Sequence, residues 1–345
     1  MKIRIFILVV FMFSVFPSVV FAQRIRIKVA TIAPNRSNWD IEQHSIAQKW
    51  ANITEGNVSL QFMGTAAMGG EEGVIQKLNS IRPGQTPPIG GAVFSNLGIS
   101  ELAPESKILT LCVPFMFRNQ QEVDLVLKEF SPEMQKPLLD KGYIVLGWFD
   151  VGWAYFYTKR PARTPAELKN LRLSVGSLTA PALTNAFKAA GFLTLDVPED
   201  RLLQSMKTPG GIEGLYTLPM YAYAAQYCKN LPYILDVPLC PVMAVFIVSK
   251  SVWDSVPDKC KPDMMEAVKE AEKKFSVSQV ATDSEYLQRC QEAGGTVVKL
   301  SPAEYSTYES SFREDSKKMY EAKDPVVDKA LYDKIVDFLN MHRGK

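Results

Sequence analysis

The chain has 345 residues, of which 47% are hydrophobic, enough for about two ordinary packed domains. Lysine and arginine number 39 against 37 aspartate and glutamate, and setting aside Lys2 and Arg4 at the N-terminus leaves no net charge. That excludes a global field drawing nucleic acid or an anionic membrane surface.

The N-terminus carries Lys2 and Arg4, runs apolar from Ile5 to Phe21 and turns polar after Ala22, the layout of a secretory signal spanning 1–22. An uncleaved anchor is the competing reading, because the run lies at the short edge of what spans a bilayer. The small residue and the abrupt change in polarity favour cleavage. No cysteine follows the run, which disfavours lipid modification there.

Ile25, Ile27 and Val29 alternate with Arg24, Arg26 and Lys28, the period of a half-buried strand. Ser37, with Asp40 three residues on, opens a helix carrying Ile46, Trp50 and Ile53. Val58, Leu60 and Phe62 alternate again, and after Gly69-Gly70 a second helix places Ile75, Leu78 and Ile81 on one face. Ile89 to Phe94 reads as a buried strand, Ser131-Pro132 as a helix start, and Tyr143 to Phe149 and Ala154 to Thr158 as strands. Thr164-Pro165-Ala166-Glu167 combines an N-cap, a proline at the first helical position and a box glutamate. A second strand and helix set runs from about Leu171 to Val197, and a long strand from Val242 to Val248. After Pro262 neither glycine nor proline occurs until beyond Ala293, so a helix of about 45 Å is predicted there, long enough to run along two lobes. Ser301-Pro302-Ala303-Glu304 caps another helix. Strands alternating with helices imply an α/β fold with mainly parallel sheets, which hold ligands at the carboxyl ends of their strands.

Catalytic signatures are sparse. The histidines are His44, within the first helix, and His342, near the C-terminus. Neither forms part of a nucleophile and base pair, and the sequence has no Gly-x-Ser-x-Gly, Walker A, Gly-x-Gly-x-x-Gly or His-Glu-x-x-His motif. Cys112, Cys228, Cys240, Cys260 and Cys290 lack metal-type spacing and read as buried free thiols. Only Cys228 and Cys240 lie close enough in sequence for a bridge, which an exported protein permits. What is abundant is aromatic surface at strand ends, above all between Trp148 and Trp153, where α/β sheets expose ligand sites.

Taken in order, several stretches resemble the solute receptors of tripartite ATP-independent periplasmic (TRAP) transporters, the DctP-type binding proteins, over nearly the whole mature length. They are Ala30-Thr31-Ile32-Ala33-Pro34, Met68-Gly69-Gly70-Glu71, Val113-Pro114-Phe115-Met116-Phe117-Arg118, Gly142 to Trp148 followed by Gly152, Lys159-Arg160-Pro161 to Leu171, and Glu213-Gly214. The resemblance implies a two-lobed α/β fold of the class II periplasmic-binding-protein type. Each lobe is a mixed sheet flanked by helices, with a long helix at about 262–293 spanning both. Lobe I is expected to comprise 23–147 and about 238–262, and lobe II 148–237 with C-terminal segments to 345. It further implies a periplasmic receptor without cofactor that closes on a small molecule and delivers it to a membrane permease. Some such receptors work with a tetratricopeptide-repeat partner, which the sequence leaves open.

The resemblance breaks at one position. Members usually hold an organic acid through an arginine in a Lys-Gly-Leu-Lys-Ile-Arg-type strand start, and here Lys169-Asn170-Leu171-Arg172-Leu173-Ser174 puts Ser174 at that place. Serine offers neither the charge nor the planar fork that grips a carboxylate. Either Arg172, two residues earlier on the same side of a strand, replaces it, or the ligand is apolar or amphipathic. The second is preferred. Candidate cleft residues are Trp39, Phe94, Asn96, Phe115, Trp148, Trp153, Arg172, Ser174, Glu213 and Tyr216. Two other classes compete: an exported enzyme, if Glu213 and Asp150 converge in the cleft, and an interaction protein, if side chains fill the cleft.

Overall fold

Side-chain oxygens one residue ahead of an apolar stripe set where the main helices begin. In the computed structural model, which describes residues 24–80, 88–175, 181–322 and 325–344, Ser37 accepts from the Asp40 amide. Thr164 and Ser301 form complete capping boxes with Glu167 and Glu304. The helices are α1 (Asn38–Ile53), α2 (Gly70–Asn79), α3 (Asn96–Leu102), α4 (Gln120–Asp140), α5 (Pro165–Lys169), α6 (Pro181–Ala189), α7 (Leu202–Lys207), α8 (Pro219–Ala224), α9 (Lys250–Ser255), α10 (Lys261–Glu292), α11 (Pro302–Glu321) and α12 (Lys329–His342). The expected signal segment and Ile81 lie outside the described residues.

The helix expected to start at Ser131-Pro132 begins earlier, where the Asn119 side chain caps α4, and Pro132 and Pro137 lie inside it. Val123, Val126, Phe130, Met134 and Leu138 keep one apolar face buried across both prolines. Burying that stripe outweighs the hydrogen bonds each proline removes.

The strands are β1 (Ile25–Thr31), β2 (Val58–Gly64), β3 (Gly91–Ser95), β4 (Tyr143–Trp153), β5 (Tyr155–Thr158), β6 (Arg172–Ser174), β7 (Leu193–Thr194), β8 (Gly214–Thr217), β9 (Tyr233–Leu235), β10 (Pro241–Ser249) and β11 (Thr296–Val298). They form two sheets, ordered β2-β1-β3-β10-β4 and β11-β9-β5-β8-β6-β7. The sheets are mixed rather than mainly parallel: β1 runs parallel to β2 and β3, while β10 is antiparallel to both β3 and β4, and β5 to both β8 and β9. The cause is the two crossings between sheets, which run in opposite directions. One passes through Ala154 and the other through Leu239 and Cys240. They are pinned together, since Leu239 N donates to Ala154 O at 2.9 Å and Ala154 N to Cys240 O at 3.0 Å.

Strand β4 thus stays in the first sheet as far as Trp153. The C-terminus also returns to that side, where the Asp328 amide donates to Thr110 Oγ1 at 3.0 Å and Arg343 pairs with Glu122.

Helix α10, of 32 residues, packs on α1, β4 and α8 and so runs along both lobes. Two glycines of β4 make room for it. A Cβ at Gly147 would meet Val268 Cγ1 at 2.7 Å, and one at Gly152 would meet Asp283 Oδ1 at 2.4 Å. The cysteines are free, as the sequence reading expected, and the bridge that spacing allowed is not formed: Cys228 and Cys240 pack in separate hydrophobic cores, because β9 and the second crossing carry the chain from one to the other.

Candidate functional site

A cavity of about 820 Å³ opens between the two sheets. The carboxyl end of β1 and the loop after it, Thr31–Asn35, form one wall, joined by Thr65 and Ala66 and by Ser95–Leu97. Facing them are Ser174 at the end of β6, Leu215–Leu218 of β8 and its following turn, and Tyr221 of α8. Val151, Ala154, Leu239, Cys240 and Val242 of the crossings make the floor, and Met319, Val326 and Val327 close one side. The chamber therefore sits at strand carboxyl ends where the chain changes sheet, as α/β topology favours.

Polar groups in the wall are largely engaged with the protein itself. Glu71 accepts from the Ser95 amide at 2.6 Å and from its hydroxyl at 2.8 Å. Asn96, buried, accepts from the Met243 amide at 2.6 Å and donates to Cys112 Sγ at 3.1 Å. Asp40 accepts from the Arg36 amide at 2.8 Å and has His44 at 3.4 Å. Tyr221 of α8 donates its hydroxyl to the carbonyl of Ile32 across the mouth, so the two lobes touch. Among the described lining residues, Asp40 and Glu71 carry the formal charges and no lysine or arginine occurs.

Of the residues anticipated from sequence, Trp39, Asn96, Ser174 and Tyr216 line this chamber. Ser174 is 2% exposed and Asn96 3%, so each presents only a small polar surface. The Tyr216 ring stacks on Phe187 at 5.4 Å, and burial pushes its hydroxyl pKa well above the usual tyrosine range.

The other six lie elsewhere. Phe94 is wholly buried in the core beneath the first sheet. Phe115, at φ 59, turns onto Tyr305 and Phe312, while its neighbours Val113 and Pro114 reach the chamber. Trp148 and Trp153 pack against the core and present their backbone amides to α10. The first donates to Glu272 Oε1 at 2.5 Å and the second to Asp283 Oδ2 at 2.8 Å.

Arg172 is held by Glu213, at 3.3 Å, and by the carbonyl of Gly211, which accepts from its Nε at 2.8 Å. Glu213 also pairs with Arg160 at 3.2 Å. Ser174 ends the strand that Arg172 begins, yet only the serine reaches the chamber, because this pairing fixes the guanidinium at the strand start. Asp150 and Glu213 do not converge: Asp150 is buried with its Oδ1 accepting from the Gly152 amide at 3.0 Å, whereas Glu213 serves the two arginines.

Sequence reasoning did not assign Thr31–Asn35, Cys112, Leu215 or Val327 to the site. The Ala30-Thr31-Ile32-Ala33-Pro34 motif ending β1 was the available signal, since loops after strand carboxyl ends line ligand sites. His44 also borders the chamber, with its side chain 61% exposed.

The sequence profile of bacterial extracellular solute-binding protein family 7 (DctP) matches residues 29–323. A solute-binding protein of Roseobacter denitrificans is 18% identical over 293 residues, covering 84% of this chain and 86% of its own. Three solved relatives are TRAP periplasmic solute-binding proteins. That of Sulfurospirillum deleyianum, with bound succinate, superposes with a TM-score of 0.76 at 18% identity, covering 90% of this chain and 97% of its own. That of Haemophilus influenzae, with bound L-gulonate, gives 0.78 at 16%, covering 92% and 99%. That of Desulfovibrio desulfuricans, with bound sn-glycerol-3-phosphate, gives 0.77 at 18%, covering 92% and 97%.

Proposed function

We propose that this chain, which belongs to the bacterial extracellular solute-binding proteins of family 7, is a periplasmic TRAP-type receptor for an apolar or amphipathic small molecule. It is exported by residues 1–22, binds without a catalytic step and hands its ligand to the membrane permease. Among the described residues no helix is long and apolar enough to cross a membrane. The lobes are taken to part at Ala154 and at Leu239–Cys240, where the crossings are joined.

The observation that carries the ligand class is a chamber whose described lining has no lysine or arginine, with Ser174 at the place where the family resemblance leads one to expect a clamp arginine. Succinate, L-gulonate and sn-glycerol-3-phosphate, bound by the three compared proteins, are anions. Enclosing an anion without a fixed positive partner costs several kcal/mol or more, on the order of an unpaired buried charge. Apolar walls with a few oriented polar groups suit a ligand with little charge. Closure follows because such a ligand touches both walls only when the lobes meet, as they do at Tyr221 and Ile32.

A carboxylate receptor using Arg172 is the second reading. It requires the guanidinium to leave Glu213 and Gly211 and enter the chamber, and the proximity of β6 favours it. Native mass spectrometry of the mature protein, with denaturing extraction of any bound molecule, separates the two. An uncharged or amphipathic compound of low polarity is expected; an organic acid retained by the wild-type chain and lost from Arg172→Ala would overturn the apolar reading.

A further inference from the structure

The cysteines pair in space differently from their spacing along the chain. Cys112 and Cys240 both line the chamber, and Cys112 stands near enough to raise the Cys240 thiol pKa. Backbone and side chain hold them there. The Phe115 amide donates to Leu239 O at 3.1 Å, bringing the segment after Cys112 against the one before Cys240. Asn96 bridges the same two segments, donating to Cys112 Sγ at 3.1 Å and accepting from the Met243 amide at 2.6 Å.

A second pair, Cys228 and Cys290, packs within the one small core that contains Tyr157 and Leu231, and Cys228 helps burial raise the Cys290 thiol pKa. Cys290, near the end of α10, lies 3.8 Å from the Pro219 carbonyl as well. Cys260 packs in a different core, with Ile46 and Trp253 among its members.

We propose that, in an oxidising compartment, the chain carries two disulfides, Cys112–Cys240 and Cys228–Cys290, the first built into the chamber wall. The compartment rests on the periplasmic reading above; the pairing rests on the geometry. In each bridge two thiols lose two protons and two electrons to a disulfide oxidant, which is reduced to two thiols. One cysteine thiolate attacks a sulfur of the oxidant, expels one thiol and forms a mixed disulfide. The neighbouring thiolate then displaces the second thiol and completes the bridge.

The two pairs differ in access. The neighbouring Cys112, and then burial, push the Cys240 thiol well up, and burial pushes Cys290 up, so both are poor nucleophiles once folded. Cys228 and Cys290 are both buried and must join while the chain folds. Cys112 is half-buried at the chamber, so its bridge exchanges with reagents in the folded protein. Oxidation there ties the segment Ile108–Cys112 to the second crossing and gives the ligand an apolar disulfide in place of two thiols.

The test is to refold the reduced mature chain in a glutathione and glutathione-disulfide buffer, alkylate the remaining thiols in denaturant and map the peptides by mass spectrometry. The expected result is linked peptides for Cys112 with Cys240 and for Cys228 with Cys290, with Cys260 alkylated. Brief reduction of the folded protein should open the first bridge before the second. A Cys228–Cys240 link, or alkylation of all five cysteines, overturns the proposal. Cys112→Ser should leave Cys240 and Cys260 alkylated and the other bridge intact; rearrangement of Cys228 or Cys290 onto Cys240 counts against it. Because the buffer supplies the oxidant wherever the chain resides, failure here falls on the pairing, whereas the receptor reading stands or falls on the extracted ligand.

Discussion

Strand β4 serves two regions that handle polarity in opposite ways. On the side of α10 two carboxyls, Asp150 and Asp283, are buried beside the strand and a third, Glu272, is half-buried, while Val151 and the following Ala154 belong to a chamber whose described lining has no cationic side chain. Along α10 the acids are tolerated because each has a backbone partner: Glu272 takes the Trp148 amide, Asp283 the Trp153 amide and Asp150 the Gly152 amide. Burial pushes Asp150 up to about 8, with the charge of nearby Asp283 adding to it, and pushes Glu272 and Asp283 up to about 7. The side of α10 holds acids whose pKa values are raised; the chamber gains its apolar character by tying its polar groups to the protein.

The sharpest way to break the side of α10 is Gly152→Val. At φ 118 the position suits glycine, and a Cβ would strike Asp283 Oδ1. A loss of at least about 4 kcal/mol in denaturant unfolding is expected. On the chamber side the comparable damage is Phe312→Ala, which empties a ring packed against Phe115, Phe156, Phe192 and Tyr308. Cavity formation there should cost about 3–5 kcal/mol.

The next effect separates the regions by pH. Below about pH 4 the acids at α10 are protonated in both the folded and unfolded chain, and their contribution is fully present. As pH rises the unfolded chain ionises first, so stability falls progressively until the folded groups ionise near 7 to 8. Asp283→Asn should flatten that slope by on the order of 2–4 kcal/mol between pH 4 and 8, read from urea midpoints. An unchanged slope would mean that Asp283 is ionised in the folded protein.

Smaller effects test the chamber. Tyr221→Phe removes the hydrogen bond to Ile32 and should weaken ligand retention about 5-fold, roughly 1 kcal/mol, in a dissociation assay. Arg172→Ala should change stability by less than about 1 kcal/mol, since its pair with Glu213 is partly exposed, and leave ligand retention unaltered. A large loss of retention in that variant would bring Arg172 back into the site.

Much of the architecture was legible because its signals are local. The alternation from Arg24 to Val29, the capping boxes at Thr164 and Ser301 and the uninterrupted run after Pro262 each encode an element within a few turns of chain. The start of α4 was misplaced because Pro132 resembles a beginning, and only the buried stripe across it shows otherwise. The site was less legible. Trp148 and Trp153 have the composition of a ligand wall, but Glu272 and Asp283, more than a hundred residues away, claim their amides.

What the sequence determined by itself was the α/β class and the elements with strong local signals, such as β1, α1, α5, α10 and α11. Each depends on hydrogen bonds or side-chain chemistry within short stretches. Tertiary structure alone decided which face of β4 meets α10, that Glu213 captures Arg172 from 41 residues away, and that Cys240 meets Cys112 rather than Cys228. Those outcomes depend on where two opposed crossings carry the chain, and neighbouring residues hold no record of a partner met only when the lobes assemble.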